Sequence, residues 1–309
     1  MKVQEYVHLA QHTTFKIGGL ARYFIEVTSA TEVVAALEYA QAKKVPFFIL
    51  AGGSNTLVSD DGFDGVVIKM NLTKKDIDAT TGIVKADAGC MLMEIILATT
   101  SQKLKGMESM YGIPGTVGGA ARGNAGAFGT EMTDVVTSVT ALNIETGKER
   151  TFNHNECAFD YRTSFFKKNP EWIILSVQLK LTKDTEGTAL QIAKDTLALR
   201  NERQIQDIKS AGSFFMNPVV SEKLQKQFEK EKGTPAKEKR VPAGWLIEKS
   251  GFKGAVEGNV ATGVRSANYI INTGKGTAEE VARLAETIRA KVFADFNVAL
   301  KEEITQVGF

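Results

Sequence analysis

The sequence predicts an α+β protein with more than one domain, and three observations support this. Its 309 residues exceed what one small hydrophobic core organises. Segments with helical apolar periodicity alternate with short apolar runs that are typical of strands. Two glycine-rich loops interrupt them: AGGSN at Ala51–Asn55, and Tyr111–Gly129, which holds seven glycines in nineteen residues. Glycine loses much backbone entropy on folding, so this density indicates sharp turns or close approach to a ligand.

Residues 1–70 have a strand–helix–strand pattern, which is compatible with phosphate binding at the end of a strand. The SATE sequence at Ser29–Glu32 is a capping-box signature, and it predicts a helix that ends at about Lys43. Phe47–Leu50 is a buried-strand run that leads directly into the first glycine-rich loop. Gly65–Met70 is predicted to be the next strand.

The middle of the chain is predicted to mix strands and helices. Short apolar runs predict the strands, and amphipathic or helix-favouring compositions predict the helices. The predicted strands are Ile83–Ala88, Val135–Asn143 and Trp172–Leu181, and the predicted helices are Met91–Gln102 and Ala189–Arg203. The chain is expected to leave this unit around Ile205–Gly212.

The C-terminal part begins with a lysine-rich stretch, Ser221–Arg240. Acidic residues interleave its lysines, which favours a solvated helix and loop over a site for a polyanion. A second capping-box signature, TAEE at Thr277–Glu280, predicts a helix with one apolar face. Asn297–Val307 is predicted to be the last strand, in which Glu302 and Glu303 face opposite sides.

The composition argues against several classes of function. The net charge is +2 and no basic block alternates with aromatic residues, so no nucleic-acid partner is expected. The start, MKVQEYVHLAQHTTF, lacks the apolar stretch of a signal peptide, and no apolar run is long enough to insert into a membrane. Cys90 and Cys157 have neither metal-ligand nor disulfide spacing, which fits a reducing cytosol. With three scattered histidines, no metal site is expected.

The first glycine-rich loop lacks the GK[ST] ending of a P-loop and the GxGxxG spacing of a Rossmann site. Gly52 and Gly53 would still let backbone amides close on a diphosphate, with Ser54 and Asn55 as side-chain donors. A tight turn between strands explains these residues equally well. The second loop favours an extended ligand more strongly, because a purely structural loop rarely needs seven glycines.

Three polar positions are candidates for chemistry. Arg162 lies among aromatic residues in FDYRTSFF, where an arginine is expected to pair with a carboxylate or a phosphate. Ser213, in SAGSFFMNP, has no nearby histidine to make it a nucleophile, but a hydroxyl can donate a proton to a strongly basic intermediate. Glu302 or Glu303 can point into a site. A structural ion pair, a turn and a surface strand are the alternatives that the sequence leaves open.

Taken together, these motifs resemble one family, the flavin-dependent UDP-N-acetylenolpyruvoylglucosamine reductases of bacterial cell-wall synthesis, in their shorter type II form. The resemblance runs nearly from end to end, and the order of the motifs makes it specific. They are TTFKIGG (Thr13–Gly19), AGGSNTLV (Ala51–Val58), GIPGTVGGA (Gly112–Ala120), NAGAFG (Asn124–Gly129), YR.S (Tyr161–Ser164), AGSFFMNP (Ala211–Pro218), AGWLIE..GFKG (Ala243–Gly254) and the terminal EITQVG.

The resemblance implies an FAD-binding domain of the vanillyl-alcohol-oxidase (PCMH) type in two α+β subdomains, residues 1–70 and 71–205. It also implies a C-terminal α+β substrate-binding domain, residues 206–309, whose last strand returns to the active site. FAD would be bound noncovalently, NADPH would be the reductant, and the substrate would be UDP-N-acetylglucosamine enolpyruvate. A cytoplasmic monomer is expected.

The resemblance also assigns residues. Arg162 and Glu303 would engage the substrate carboxylate, and Ser213 would protonate C2 after hydride transfer from flavin N5 to C3. Tyr161, Asn217 and Arg265 would contact the substrate, Asn217 near its phosphates. The cofactor would be held by Gly52, Gly53, Ser54, Asn55, Ile113, Pro114, Gly115, Thr116, Gly119, Ala120, Asn124 and Gly126.

The chain departs from the family pattern at three places. Met216 stands where a lysine is common, Arg122-Gly123 precedes Asn124 where a methionine is more usual, and Ser266 stands where a histidine is frequent. The missing lysine puts the phosphate contacts in doubt, and Arg265 or Lys253 is a candidate to replace its charge. Two other functions fit less well: another flavoprotein oxidase or dehydrogenase, and a non-catalytic nucleotide-sugar binder, which would need no proton donor.

Overall fold

The computed structural model describes residues 1–202 and 208–309. It folds as two compact units, each built from separated stretches of chain. Unit 1 comprises Met1–Val7, Ala21–Gly53 and Phe63–Glu202, and unit 2 comprises His8–Leu20, Ser54–Gly62 and the described part of Arg203–Phe309. The predicted domain boundary at residue 205 lies outside the described residues, and the three-part division of function stays a prediction.

The strands are short and distributed along the whole chain. In chain order they are β1 (Val3–His8), β2 (Leu20–Val27), β3 (Phe47–Leu50), β4 (Thr56–Val58), β5 (Phe63–Met70), β6 (Lys75–Asp78), β7 (Ile83–Asp87), β8 (Leu104–Lys105), β9 (Gly126–Ala127), β10 (Thr130–Glu131), β11 (Val136–Asn143), β12 (Glu149–Asn153), β13 (Trp172–Lys180), β14 (Thr182–Lys183), β15 (Val256–Glu257), β16 (Val260–Thr262), β17 (Ile270–Asn272) and β18 (Thr305–Val307).

The helices lie between these strands. In chain order they are α1 (Ala30–Lys43), α2 (Leu92–Ser101), α3 (Val117–Arg122), α4 (Phe165–Lys168), α5 (Ala189–Glu202), α6 (Glu222–Lys232), α7 (Ala243–Lys249) and α8 (Ala278–Phe296).

Unit 1 contains two larger sheets that share one hydrophobic core, and the two-stranded pairs β9-β10 and β8-β14. The first has the order β1-β2-β5-β3, with β2 and β3 parallel to β5. Helix α1 connects β2 to β3, as the strand–helix–strand pattern predicts. Ser29 caps α1 by accepting from the Glu32 N–H, and the Glu32 carboxylate accepts from the N–H of Thr28, one residue before the cap. The second sheet is antiparallel, in the order β12-β11-β13-β7-β6.

Unit 2 packs helices α7 and α8 around a smaller core of its own. Its sheets are the antiparallel β15-β16-β17 and the parallel pair β18-β4. Thr277 and Glu280 form the complete capping box predicted for α8, each side chain accepting from the other's backbone N–H. In the lysine-rich helix α6, Leu224 and Phe228 are buried while the charged residues remain at the surface.

Two sequence predictions were wrong in extent. The stretch Tyr111–Gly129 is not a continuous loop, because it contains helix α3 and strand β9. The last strand spans only Thr305–Val307 instead of Asn297–Val307. Before this strand, Glu302 pairs with Phe215 at an isolated antiparallel bridge. Three residues after Phe215, Pro218 has no N–H to donate, so this pairing does not extend into a longer strand.

Candidate functional site

The two glycine-rich loops meet in unit 1. A methyl group at Gly52 would lie 2.7 Å from Cα of Gly115, closer than side-chain carbons approach a backbone. Gly115 has a φ of +114°, which side-chain-bearing residues rarely adopt. Glycine is therefore required at both positions by the contact between the loops themselves. Gly53 also turns through a positive φ, +67°.

The second loop is fixed to the end of strand β7. The Gly118 N–H donates to the Ala88 carbonyl at 2.9 Å, and a methyl group at Gly118 would lie 2.6 Å from the Ala88 side chain. The Val117 N–H donates to the Cys90 carbonyl at 2.8 Å, and the Leu92 N–H donates to the Gly115 carbonyl at 3.0 Å. This backbone pairing holds the start of α3 against the sheet.

Helix α3 carries the central residues of the predicted cofactor site. Thr116 is its N-cap, and Oγ1 accepts from the Gly119 N–H at 3.3 Å. A methyl group at Gly119 would meet its nearest neighbours, the Ala51 Cβ and Thr116 Oγ1, at 3.6 Å, an ordinary contact distance. The protein itself therefore does not require glycine at 119, whereas a ligand lying flat on the helix would. Ala120 is buried on the same short helix.

The remaining cofactor candidates of this loop have structural partners. The Ile113 N–H donates to the Met110 carbonyl at 3.0 Å, and Pro114 follows it before the turn at Gly115. Sequence analysis did not single out Lys69, whose ammonium donates to the Ala51 carbonyl in the first loop. Burial lowers the pKa of Lys69.

Asn124 is buried, with only 1% of its surface exposed, and its side chain forms hydrogen bonds to three neighbouring residues. Its Oδ1 accepts from the Thr133 N–H at 2.9 Å, and its Nδ2 donates to Glu131 Oε2 at 2.9 Å and to the Asp160 carbonyl at 3.1 Å. Gly126 is needed nearby, because a methyl group there would lie 2.5 Å from Cγ of Glu131. Both residues shape the β9–β10 hairpin.

Arg162 is held by this hairpin. Its Nη2 donates to the Gly126 carbonyl at 3.0 Å, and its Nη1 lies 3.5 Å from Glu131 Oε1, the carboxylate partner that the apolar surroundings predicted. The guanidinium also lies over the Tyr161 ring, 5.2 Å from its centre. Arg162 has a φ of +54°, and the Lys167 ammonium donates to its carbonyl at 2.9 Å. The Arg162 backbone therefore has a strained conformation that the surrounding contacts must stabilise.

Unit 2 brings Ser213 and Glu303 into one backbone ladder. Ser213 pairs with Tyr269, and the Glu303 N–H donates to the Phe214 carbonyl at 2.8 Å. Asn268, which the sequence analysis missed, locks this ladder and is itself 5% exposed. Its side chain accepts from the Phe215 N–H at 3.0 Å and donates to the Phe215 carbonyl at 2.8 Å.

The two adjacent glutamates have different surroundings. The Glu302 carboxylate is paired with Arg289 and accepts from Gln306 Nε2 at 2.7 Å, so it has a structural role. The backbone carbonyl of Glu303 accepts from Asn55 Nδ2 at 3.1 Å, and the backbone carbonyl of Asn55 accepts from the Thr305 N–H at 2.9 Å. Asn55, predicted to bind the cofactor, therefore also supports Glu303.

The substrate candidates of unit 2 differ in how far other residues of the protein hold them in place. Asn217 Oδ1 accepts from the Ala243 N–H at 3.0 Å, and its carbonyl accepts from Arg240 Nη1 at 3.0 Å. Arg265 is exposed on a turn. Lys253 is paired with Glu248 at 2.8 Å, which makes it a poor replacement for the lysine absent at Met216.

The structure thus groups the candidates in two sets. Arg162 shares unit 1 with most of the predicted cofactor residues, whereas Ser213, Glu303 and Asn217 share unit 2. Ser54 also belongs to unit 2, since the units divide within the first glycine-rich loop. Within residues 1–202 and 208–309, no cluster of metal-binding side chains is present and no helix is long and apolar enough to cross a membrane.

Known proteins match both parts of the chain. The model for an FAD binding domain matches residues 21–153, and the model for the C-terminal domain of UDP-N-acetylenolpyruvoylglucosamine reductase matches residues 203–307. Curated proteins carrying that reductase name are similar nearly throughout. The protein from Solibacter usitatus is 34% identical over 97% of this chain and 95% of its own length, and that from Pseudomonas putida is 35% identical over 97% of each.

A solved structure also matches over the full length. The reductase of the same name from Thermus caldophilus is 28% identical, with a TM-score of 0.78 over 99% of both chains. This similarity confirms the predicted α+β fold class. The FAD-binding match confirms the cofactor that the family resemblance implied.

Proposed function

We propose that this chain, which belongs to the UDP-N-acetylenolpyruvoylglucosamine reductase family, reduces UDP-N-acetylglucosamine enolpyruvate to UDP-N-acetylmuramate for peptidoglycan synthesis, with NADPH as reductant. The observation that carries the proposal is the presence of both the FAD-binding and the reductase C-terminal domains in one chain of matching length. A monomer in the cytoplasm is the proposed working form.

The glycine-rich loops would hold the FAD. Gly119 supports this assignment, because its surroundings leave room for a methyl group that the chain does not carry. Gly52, Gly53 and Gly115 would bring backbone amides close to the diphosphate, with Ser54 and Asn55 as side-chain donors. Asn124 and Gly126 would act by shaping the hairpin that follows. When bound, FAD supplies hydride transfer from NADPH to C3 of the enolpyruvyl ether.

Arg162 would bind the substrate carboxylate. Hydride addition to a double bond conjugated to that carboxylate places negative charge on its oxygens. A guanidinium fixed by two carbonyls and one carboxylate is already oriented and needs little reorganisation as the charge develops. Glu303 would assist as a hydrogen-bond donor to the enolate-like oxygen, which requires its protonated form. The Tyr161 ring beneath the guanidinium would limit its movement.

Ser213 would donate the proton to C2. A hydroxyl is a weak acid, but the carbanion-like carbon left by hydride addition is basic enough to accept its proton. The ladder between the Ser213 segment and Glu303 supports this role because it fixes the serine backbone beside a second proposed catalytic residue. Asn217 and Arg265 would contact the phosphates of the substrate.

The test is reduction of the purified, FAD-loaded protein. We expect a yellow protein whose steady NADPH oxidation depends on the enolpyruvyl substrate and yields UDP-N-acetylmuramate. A yellow protein that oxidises NADPH only with other acceptors would support a different flavoprotein activity. A colourless protein that takes up no FAD but binds the nucleotide sugar would support a non-catalytic binder, and either result would refute the proposal.

A further inference from the structure

We infer that Glu131 is the positioning residue of Arg162, a role that deepens the proposed function and rests on it. Nothing in the sequence marks Glu131, which lies in the β9–β10 hairpin seven residues after Asn124. Its carboxylate is the acidic partner of Arg162, with Oε1 at 3.5 Å from Nη1. The side chains of both residues are partly buried, 34% exposed for Glu131 and 22% for Arg162.

Glu131 is held from several directions, so its carboxylate has one orientation. Oε2 accepts from Asn124 Nδ2 at 2.9 Å, and the side chain also accepts from the backbone N–H of Asp134. The Asp134 side chain bonds Glu131 in the opposite direction, since its Oδ2 accepts from the Glu131 N–H at 2.8 Å. Gly126 leaves the space that Cγ of Glu131 fills. The hairpin therefore presents a fixed acceptor to the arginine.

The position of Arg162 needs such a partner. Its φ of +54° costs conformational energy, so the surrounding contacts must determine it. The Gly126 and Asn124 carbonyls accept from the guanidinium at 3.0 Å and 3.4 Å, and both belong to the segment that Glu131 closes. Only a carboxylate can accept with both oxygens, one from Asn124 and one from Arg162. Glutamine has the same shape but would satisfy only one of these donors.

The test compares Glu131→Gln and Glu131→Ala with Ser109→Ala, which removes the hydroxyl bond from Ser109 to Thr130 in the same hairpin without touching Glu131 or Arg162. In rapid-mixing experiments we expect the Glu131 variants to retain FAD and to be reduced by NADPH at the wild-type rate. Reoxidation by substrate should slow on the order of 10²-fold, the cost of a misplaced catalytic group. In an Arg162→Ala background, Glu131→Ala should add nothing.

A second measurement does not depend on turnover. The Nε–H signal of Arg162 in ¹⁵N NMR of the FAD-loaded protein, assigned by its loss in Arg162→Lys, should be sharp in the wild type and in Ser109→Ala. It should broaden or shift in Glu131→Gln. An unchanged signal, equal slowing of both half-reactions, or additive effects with Arg162→Ala would overturn the inference. If the wild type does not reduce the substrate, the proposed function fails, and this signal still decides whether Glu131 positions Arg162.

Discussion

The two glycine-rich loops meet at Gly52 and Gly115 in unit 1, and we call this region the glycine cradle. The cradle and the Ser213–Glu303 ladder of unit 2 are fixed by different means. In the cradle, the loops approach because side chains are absent, as Gly52 against Gly115 shows. In the ladder, the buried amide side chain of Asn268 fixes the backbone at Phe215, two residues after Ser213. The cradle is a shaped surface, which suits a large planar cofactor. The ladder fixes single side chains, which suits proton transfer at a defined atom.

Because the two regions are fixed by different means, substitutions in them should have different effects. A substitution in the cradle changes the space available to the cofactor, so FAD affinity should respond first. A substitution of a proposed catalytic residue in unit 2 leaves that space unchanged, so FAD should remain bound while a chemical step slows.

Ser213→Ala should give the largest loss. Because Ser213 is proposed to act only as the acid toward C2, reoxidation of the reduced protein by substrate should slow on the order of 10³-fold. Reduction by NADPH should keep its wild-type rate in rapid-mixing measurements. Ser221→Ala is the matched control, since Ser221 makes no side-chain bond at the N-terminus of α6. Equal slowing of both half-reactions by Ser213→Ala would remove Ser213 from its proposed role.

Glu303→Ala and Glu302→Ala separate two adjacent carboxyl groups. Glu303→Ala should slow reoxidation by substrate about 10²-fold, the usual cost of losing one group that stabilises developing charge. Glu302→Ala should keep turnover near the wild-type value and lower thermal stability instead, because it breaks the pair with Arg289. The reverse pattern in turnover and melting temperature would place the wrong glutamate in the site.

Gly119→Ala should weaken FAD binding without destabilising the protein. Alanine favours a helix over glycine, and its methyl group would meet only ordinary contacts within the protein. We expect the Kd for FAD, measured by titration of the apoprotein, to rise about tenfold, which corresponds to ~1.4 kcal/mol of binding free energy. Gly123→Ala, whose methyl group would lie 3.6 Å from the Gly119 carbonyl, is the control and should bind FAD normally. Unchanged affinity in Gly119→Ala would mean that the cofactor does not lie on α3.

Asp184→Asn should have the smallest effect, confined to stability in unit 1. The pKa of Asp184 is lowered from 3.8, first by the hydrogen bond from the Ala189 N–H at the start of α5. A folded-state pKa below the unfolded value stabilises the protein above the unfolded pKa, and this contribution is lost as pH falls through the folded value. Urea unfolding should therefore show a difference between wild type and variant at pH 7 that shrinks toward pH 2. A difference that stays the same between pH 7 and pH 2 would contradict this contribution of Asp184.

The cradle was predictable from the sequence because its cause is local. Glycine density at Tyr111–Gly129 and the capping residues of α1 and α8 are physical signals within one stretch of chain. The short helix α3 escaped prediction because its glycines and alanines do not mark an apolar face. Arg162 was expected to pair with a carboxylate or a phosphate, but Glu131 lies 31 residues away, and sequence spacing does not show that it is the partner.

The ladder of unit 2 was less predictable. Asn268 contacts Phe215 across 53 residues, and Asn55 contacts Glu303 across 248 residues. Such contacts depend on tertiary folding, so neither asparagine differs in sequence from one in a surface turn. Ser213 and the pair of adjacent glutamates were candidates from their residue types, and the family resemblance assigned the roles of Ser213 and Glu303.

Anaerobic mixing of the NADPH-reduced, FAD-loaded wild-type protein with the enolpyruvyl substrate tests the central claim most directly. Flavin absorbance reports the oxidation state, and mass spectrometry identifies the product. We expect the flavin to be reoxidised in a single turnover and one UDP-N-acetylmuramate to form for each flavin. A flavin that stays reduced in the presence of the substrate, with no product formed, would contradict it.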